Sequence, residues 1–377
     1  MTPQTLSPSV TRTLSDFRAG RMSALARAVS IVENHREGFE ALLTVLHPLV
    51  GRARRIGITG PPGAGKSTLT ARLALAYRSL GLRVGIVAVD PTSPFTGGAL
   101  LGDRIRMEEV ALDPGVFIRS MATRGSLGGL AAATREVCDV LDAFGLEVIL
   151  LETVGVGQSE LDIARSVDTT LVVLVPESGD SIQTLKAGVM EIADVFTVNK
   201  ADRPGADRLR NDIELMLGLR AGASANVLAH HGVDLRSVTD RDALRDAMNP
   251  ARVARAAALE AEPEHWTPPV LRTVAATGEG MPDMVDALNR HVGYLQRSGE
   301  LQRRRRSRLR ARVMEVVEQQ LRERLWNDGD TLAWLDAQLP ALAAGEIGPF
   351  AVADTLRTQS GHLLTGAVHA QSTGMTS

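Results

Sequence analysis

Residues 60–67 read Gly60-Pro61-Pro62-Gly63-Ala64-Gly65-Lys66-Ser67, a glycine-rich run that ends in lysine and serine. Residues 55–59 before it resemble a short buried strand, and residues 68–80 after it place apolar side chains at helical spacing. A strand, a glycine-rich turn and a helix in this order predict a phosphate-binding loop. The glycines let successive backbone N–H groups converge on an anion, and the helix points its positive dipole end at the same place.

The side chains of this loop indicate what it binds. Lys66 is expected to place its charge beside the β- and γ-phosphates of a nucleotide, and the Ser67 hydroxyl is expected to ligate Mg²⁺. The nucleotide contacts that we predict in this segment are Gly60, Pro61, Pro62, Gly63, Ala64, Gly65, Lys66, Ser67 and Thr68.

Two acidic residues farther along the chain are candidates for the metal shell. A strand predicted over residues 83–90 ends in Asp90, and an acid at this position beside a phosphate loop can hold Mg²⁺ through water. A glycine-rich loop, a candidate switch segment, leads from there to Asp103. Asp103 is either a further metal-shell ligand or the N-cap of a helix, and the sequence leaves both interpretations open.

Residues 147–152 form an apolar run that ends in a carboxylate, which is the Walker B pattern. Glu152 and Gly155 give E-x-x-G where many GTPases carry D-x-x-G. We expect Glu152 to reach the Mg²⁺ shell and the Gly155 N–H to contact the γ-phosphate, so that loss of this phosphate moves the loop. The predicted catalytic residues are Lys66, Asp103, Glu152 and Gly155, and the predicted metal-shell residues are Ser67, Asp90, Asp103 and Glu152.

A strand predicted over residues 194–198 runs into Asn199-Lys200-Ala201-Asp202, an N-K-x-D motif. Asp202 can accept hydrogen bonds from both N1–H and N2–H₂ of guanine, whereas adenine would leave this acid unpaired at a cost of about 2–5 kcal/mol. The Lys200 stem is expected to lie against the base, and Asn199 to tie the motif back to the phosphate side. Following a strand and a phosphate loop, the motif predicts guanine specificity.

The last predicted strand covers residues 270–274 and is followed by Ala275 and Ala276. This loop is expected to close over the guanine O6, with the Ala275 N–H as the hydrogen-bond donor. Strands and helical patterns alternate along the chain, which predicts an α/β fold with a doubly wound, mostly parallel sheet. Ligands bind such sheets at the carboxyl ends of the strands, and each of these motifs follows a predicted strand.

Helical segments flank this predicted core. Residues 13–50 show helical periodicity with a break at residues 35–38, and helices are predicted after Asn289 with interruptions at Pro340 and Gly345. Residues 1–12 are polar and are expected to be disordered. The predicted organisation is an N-terminal helical extension (1–50), a P-loop GTPase domain (51–298) with an insertion at about 220–265, a C-terminal helical dimerisation region (299–360) and a disordered tail (361–377).

Composition argues against several classes of protein. The net charge of −2 gives no general attraction to nucleic acid or to membranes. The single cysteine, Cys138, excludes an internal disulfide framework and suits a reducing compartment. No apolar run approaches the roughly 18 residues that span a bilayer, and the first 16 residues lack a signal-peptide layout. We therefore expect a cytoplasmic protein.

Lysine is rare in this chain. Of 42 basic residues only Lys66, Lys186 and Lys200 are lysines. Two of the three lie in the predicted nucleotide motifs, where an arginine does not replace a compact charge or an alkyl stem. Lys186 is therefore a candidate functional residue, with an ordinary solvated lysine as the alternative.

Taken together, seven segments resemble the bacterial GTPases that chaperone adenosylcobalamin-dependent acyl-CoA mutases, the methylmalonyl-CoA mutase-associated (MeaB/ArgK) family. The family resemblance implies a homodimer joined by C-terminal helices, and a loop that signals to the mutase, on which Asp180, Gln183 and Lys186 match the signalling positions. The matching segments are Gly60–Ser67, Val89–Ser93, Thr96–Gly98, Leu101–Arg104, Arg124–Gly129, Glu152–Ser159 and Asn199–Asp202.

The chain departs from the pattern of that family in three places. Val274 occupies the slot where the guanine-closing loop usually begins with serine, so we expect weaker anchoring of this loop. Residues 221–233 look longer than usual, and the sequence after about residue 341 matches poorly.

Seven arginines in residues 303–312 form either a solvated helix face or a surface for an acidic partner or CoA phosphates.

The resulting functional prediction is Mg²⁺-dependent hydrolysis of GTP to GDP that gates adenosylcobalamin delivery to, and protection of, an acyl-CoA mutase. Val156 follows Gly155 where many GTPases carry the glutamine that orients water, so slow turnover accelerated by a partner is expected. One alternative is a metal-insertion GTPase of the hydrogenase-maturation type, but the sequence lacks its Cys/His cluster near the N-terminus. Another is a kinase or ATPase linked to amino-acid transport, against which Asp202 argues.

Overall fold

The structure is a computed structural model of the protein. The residues it describes are 7–90, 107–122, 129–153, 163–176, 190–220 and 265–359. Contacts divide the chain after Gln302 into a larger unit, which contains the sheet, and a smaller helical unit.

The described part of the larger unit contains a seven-stranded sheet in the order β3-β2-β4-β1-β5-β6-β7. Every neighbouring pair is parallel, which confirms the predicted doubly wound α/β fold. The chain reverses its direction across the sheet between β3 and β4. The strands are β1 (Arg54–Thr59), β2 (Val84–Asp90), β3 (Val116–Ala122), β4 (Val148–Thr153), β5 (Thr169–Leu174), β6 (Val195–Asn199) and β7 (Val270–Thr273).

Helices precede, connect and follow these strands. Those of the larger unit are α1 (Pro8–Arg18), α2 (Met22–Glu33), α3 (Phe39–Leu46), the 3₁₀ turn His47–Leu49, α4 (Lys66–Ser79), α5 (Glu108–Ala111), α6 (Gly129–Ala143), α7 (Met190–Ile192), α8 (Ala206–Arg220) and α9 (Met281–Arg297). The helix α10 (Glu300–Trp326) leads into the smaller unit, which also contains α11 (Gly329–Ala343) and α12 (Pro349–Gln359). Among the helices described, none is long and apolar enough to span a bilayer.

Both faces of the sheet are covered, as in α/β proteins with parallel sheets. Along β4, Ile149 and Leu151 belong to one apolar cluster, which α1, α2, α3 and α6 complete. Val148 and Leu150 belong to another, which α4 and α9 complete. Because successive strand residues point to opposite faces, these two clusters lie on the two sides of the sheet. The helices before β1 thus form part of the core of the larger unit.

The first helix begins earlier than the sequence predicts. Residues 8–12 were expected to be disordered, but α1 begins at Pro8, and the Ser7 hydroxyl accepts the Val10 N–H at 3.4 Å. Serine before a helix and proline in its first turn are favourable start signals. Burial of Val10, Leu14 and Phe17 on one helix face then outweighs the polar composition.

The sequence predicts a helix interruption at Pro340, in the smaller unit, but the helix continues through this residue. Pro340 lies inside α11, which continues to Ala343, and the helix ends before Gly345, where φ is +75°. The seven-arginine run lies in α10. Several large apolar side chains of this unit are exposed: Leu309, Val313, Met314, Val317, Trp326, Leu332, Leu339 and Phe350.

The Asp142 carboxylate, at the end of α6, accepts hydrogen bonds from the segment that precedes β1. It accepts the N–H groups of Gly51, Arg52 and Ala53 at 2.8–3.1 Å, and Arg55 donates to it at 3.1 Å. Burial alone would lower the pKa of Arg55, but the charges of the neighbouring carboxylates Asp139 and Asp142 outweigh it and raise that pKa. Asp142 is itself buried, so its removal would leave the buried Ala53 N–H and the partly buried Arg55 guanidinium without this acceptor.

We predict that Asp142→Ala lowers the free energy of unfolding by about 3–5 kcal/mol, the cost of breaking a buried charge network. Urea denaturation measures this change. The control is Asp16→Ala, which removes a carboxylate paired with the exposed Arg21 and Arg27 and is expected to cost less than about 1 kcal/mol. Equal losses in the two variants would contradict the role assigned to Asp142.

Candidate functional site

The predicted nucleotide motifs converge at one edge of the sheet. Gly60 follows β1, Glu152 lies near the end of β4, Asn199 ends β6 and Ala275 follows β7 closely. Because the strands are parallel, their carboxyl ends share this edge, where ligands of doubly wound sheets bind.

Two glycines of the phosphate loop are required by close approaches. Gly60 has φ of +137°, and a Cβ there would lie 2.0 Å from the carbonyl oxygen of Val173 on β5. Gly65 has φ of +85°, and a Cβ there would lie 2.5 Å from Nδ2 of Asn199. Any larger residue at these positions would push the loop away from the neighbouring strands.

Lys66 lies across the loop that precedes it. Its side chain is buried, and Nζ donates to the carbonyl oxygens of Gly60 at 2.8 Å and Pro61 at 2.9 Å. The helix α4 begins at Lys66 with Gly65 as its N-cap, so no side chain caps its first N–H groups. A lysine held at an uncapped helix start can bind a phosphate anion.

Ser67 and Glu152 meet beside this loop. The Ser67 hydroxyl donates to Glu152 Oε1 at 2.6 Å, and Glu152 is 1% exposed. Glu152 lies on β4 between Ile58 on β1 and Ala88 on β2. A hydroxyl and a carboxylate are oxygen ligands of the kind that Mg²⁺ prefers, so these two residues fit the metal predicted from the sequence.

Asn199 joins the phosphate loop to the base-reading segments. Its Nδ2 donates to the Ala64 carbonyl at 2.8 Å, and its Oδ1 accepts the Ala275 N–H at 3.0 Å. Oδ1 also accepts the Thr273 hydroxyl at 3.3 Å, and Asn199 is 2% exposed. The sequence predicts the link to the phosphate side, whereas the link to Ala275 is an addition from the structure.

The rest of the N-K-x-D motif forms a turn against β7. Lys200 has φ of +55°, a left-handed conformation that is uncommon for a residue with a side chain. The Ala201 N–H donates to the Thr273 carbonyl at 3.0 Å, and Arg272 Nη2 donates to the Ala201 carbonyl at 3.2 Å. The Lys200 side chain is half-buried and Asp202 is exposed, so Asp202 is accessible to a base.

The loop after β7 is held by hydrogen bonds. The N–H of Ala275, predicted to contact guanine, donates to Asn199, and Ala275 is buried, while the adjacent Ala276 is exposed. The N–H of Val274, which occupies the slot of the expected serine, donates to the Glu279 carbonyl at 3.1 Å, and the Val274 carbonyl accepts the Thr277 N–H at 3.1 Å. These hydrogen bonds use the backbone alone and do not depend on the side chain at position 274.

Arg72 is a contact that the sequence did not indicate. From α4 its Nε donates to the Ala275 carbonyl at 3.3 Å, and its Nη2 donates to the Ala276 carbonyl at 3.2 Å. Arg72 belongs to none of the motifs, and its partners lie about 200 residues farther along the chain. Only the fold brings it to the site.

The remaining predicted residues lie in part outside what the structure describes. Asp90 ends β2, but only its backbone is described. The other predicted positions outside the described residues are Asp103, Gly155, Asp180, Gln183 and Lys186.

A parallel sheet with this loop and an N-K-x-D turn at its carboxyl edge defines the class of P-loop GTPases. The family model described as "Methylmalonyl Co-A mutase-associated GTPase MeaB" matches residues 25–330. The chain belongs to this family and is a GTPase that binds guanine nucleotides.

Individual relatives agree with this assignment. A Pyrococcus abyssi protein is 46% identical over 301 residues, covering 80% of this chain and 82% of that protein. A probable GTPase of Mycobacterium tuberculosis is 37% identical over 337 residues, covering 88% and 89% of the two chains. The crystal structure of a LAO/AO transport system kinase has a TM-score of 0.61 at 23% identity and covers 95% of this chain and 100% of its own. That structural likeness shows the fold alone.

We predict that Gly65→Ala destabilises the nucleotide-free protein more than Gly63→Ala. Both glycines have positive φ, but a Cβ at Gly63 meets nothing within 4 Å, whereas one at Gly65 meets Asn199. The difference in unfolding free energy is expected to be about 1–3 kcal/mol, because the collision unpairs buried hydrogen-bonding groups. Urea denaturation of the two variants measures it, and equal destabilisation would contradict the proposed close contact.

Proposed function

We propose that the chain hydrolyses GTP with Mg²⁺ at this edge of the sheet, and that its nucleotide state gates adenosylcobalamin delivery to, and protection of, an acyl-CoA mutase. The observation that carries the site is the Asn199 side chain, which bonds both the phosphate loop at Ala64 and the base-closing loop at Ala275. The mutase is proposed as the partner because the family is named for association with methylmalonyl-CoA mutase.

The phosphate end of the site is assigned from the contacts of α4. Lys66 and the N–H groups at the start of α4 hold the phosphates and neutralise their charge. Ser67 would ligate Mg²⁺, with Asp90, Asp103 and Glu152 in its outer shell, and the Gly155 N–H would contact the γ-phosphate. When bound, Mg²⁺ supplies positive charge to the phosphate oxygens, while the burial of Glu152 shields its carboxylate from bulk solvent.

The base end is assigned from two segments, the N-K-x-D motif and the loop after β7. Asp202 accepts the guanine N1–H and N2–H₂, and the Lys200 stem lies on the base face. The donor to O6 is the N–H of the exposed Ala276, since that of Ala275 already bonds Asn199. A site that pairs these polar groups with guanine leaves them unpaired with adenine.

The proposed signal runs through the loop with Asp180, Gln183 and Lys186, which match the signalling positions implied by the family resemblance. The nucleotides GTP and GDP must favour different loop conformations by a few kcal/mol for such gating. The C-terminal helices are proposed to form a homodimer, because exposed apolar side chains such as Val313 and Phe350 need a partner surface.

We predict that Asp202→Asn weakens GTP binding at least about 30-fold and shifts preference to xanthosine triphosphate, because an amide can donate where xanthine carries an oxygen. Equilibrium titration with GTP, xanthosine triphosphate and ATP measures the preference. The control is Asp207→Asn, an exposed carboxylate that pairs with Arg272 at 2.8 Å and should keep the GTP preference. Tighter binding of ATP than GTP by the wild type would contradict the guanine assignment.

We also predict that an adenosylcobalamin-dependent mutase accelerates single-turnover GTP hydrolysis by about tenfold or more, because the partner orders the catalytic loops. Rapid-quench measurements with and without methylmalonyl-CoA mutase test this. Lys66→Ala is the control and should show slow hydrolysis in both conditions. Equal rates for the wild type with and without mutase would remove the proposed coupling.

A further inference from the structure

We propose that Arg72 is a positioning residue for purine recognition, which orients the peptide group between Ala275 and Ala276 so that the Ala276 N–H meets the O6 oxygen of guanine. This inference rests on the proposed guanine site and adds a specificity determinant to it. The residue lies on α4, outside every nucleotide motif in the sequence.

The peptide group between Ala275 and Ala276 links Arg72 to the Ala276 N–H. The carbonyl of Ala275 and the N–H of Ala276 belong to one planar, trans peptide group and point in opposite directions. Arg72 Nε donates to that carbonyl at 3.3 Å. Holding the carbonyl toward α4 therefore directs the Ala276 N–H away from α4.

The neighbouring backbone groups of this loop have hydrogen-bond partners within the protein. The Ala275 N–H bonds Asn199 at 3.0 Å, the Val274 carbonyl accepts the Gly278 N–H at 2.9 Å, and the Ala276 carbonyl accepts Arg72 Nη2 at 3.2 Å. Within the part of the chain that is described, the Ala276 N–H donates to none of the residues, and Ala276 is exposed. The Ala276 N–H is thus open to a ligand.

The charge of Arg72 also affects the hydrogen bond that the Ala276 N–H can give. A charged donor on the carbonyl of a peptide polarises the whole group and strengthens the hydrogen bond that its N–H can give. Arg72 lies six residues after Lys66, about 9 Å along the same helix. One helix therefore carries both the phosphate lysine and the residue that orients the base donor.

A chemical double-mutant cycle tests this assignment. The full-length wild type and variants are titrated with GDP and with 2-aminopurine riboside diphosphate, which lacks O6 and with it the N1 proton that Asp202 accepts, in the presence of Mg²⁺. We expect Arg72→Ala to weaken GDP binding about tenfold, as for loss of one hydrogen bond, and to change binding of the analogue by less than about twofold. Arg72→Gln keeps one donor and is expected to give an intermediate loss for GDP.

The matched control is Arg78→Ala on the same helix. Arg78 donates to Asp113 at 3.0 Å and to the Leu82 carbonyl at 2.8 Å, so its removal should preserve the ratio of the two affinities. Equal weakening of GDP and of the analogue by both Arg72 variants would show a merely structural role and overturn the inference. A wild type that binds the two ligands equally would instead overturn the proposed guanine site itself.

Discussion

The site depends on one buried amide. Asn199 donates to the phosphate loop at Ala64 and accepts from the closing loop at Ala275, and both partners are backbone groups. Its burial makes each hydrogen bond costly to break, because an unpaired buried group costs about 1–3 kcal/mol. Gly65 leaves the space that this side chain needs. The phosphate site and the base site are therefore linked through one buried side chain of the sheet.

The sheet makes that contact possible. Asn199 ends β6, two strands away from β1, which carries the phosphate loop at its carboxyl end. Apolar clusters on both faces hold the strands in parallel register, and the helices before β1 contribute to one of them. Arg72 on α4 donates to the carbonyls of Ala275 and Ala276 in the closing loop. This connection is additional to the one through Asn199. The phosphate loop and the closing loop are thus joined both through a side chain of the sheet and through a helix.

Much of this arrangement could be predicted from the sequence. The phosphate loop, the acid at Glu152 and the Asn199 motif each follow an apolar run, so their place at the sheet edge follows from chain order and parallel strands. Ser67 and Glu152, both predicted to lie in the metal shell, are in contact with each other. The positions of the motifs could be predicted because each motif combines side-chain chemistry with a local strand or helix signal.

Other features could not be predicted, since they depend on contacts between distant residues. The hydrogen bond between the Ala275 N–H and Asn199 could not be foreseen, because neither Ala275 nor Ala276 carries a distinguishing side chain. The contact of Arg72 with the closing loop exists only in the folded chain. The early start of α1 could have been predicted from the sequence, because Ser7 and Pro8 are helix-start signals. The prediction of disorder relied on the polar composition of residues 1–12 instead.

A crystal structure of the protein with GDP and Mg²⁺ tests the central claim most directly. The account predicts phosphates at the N–H groups of residues 63–67, guanine between Lys200 and Asp202, and Asn199 still bonded to Ala64 and Ala275. A nucleotide bound away from this edge, or an Asn199 side chain released from both loops on binding, would contradict it.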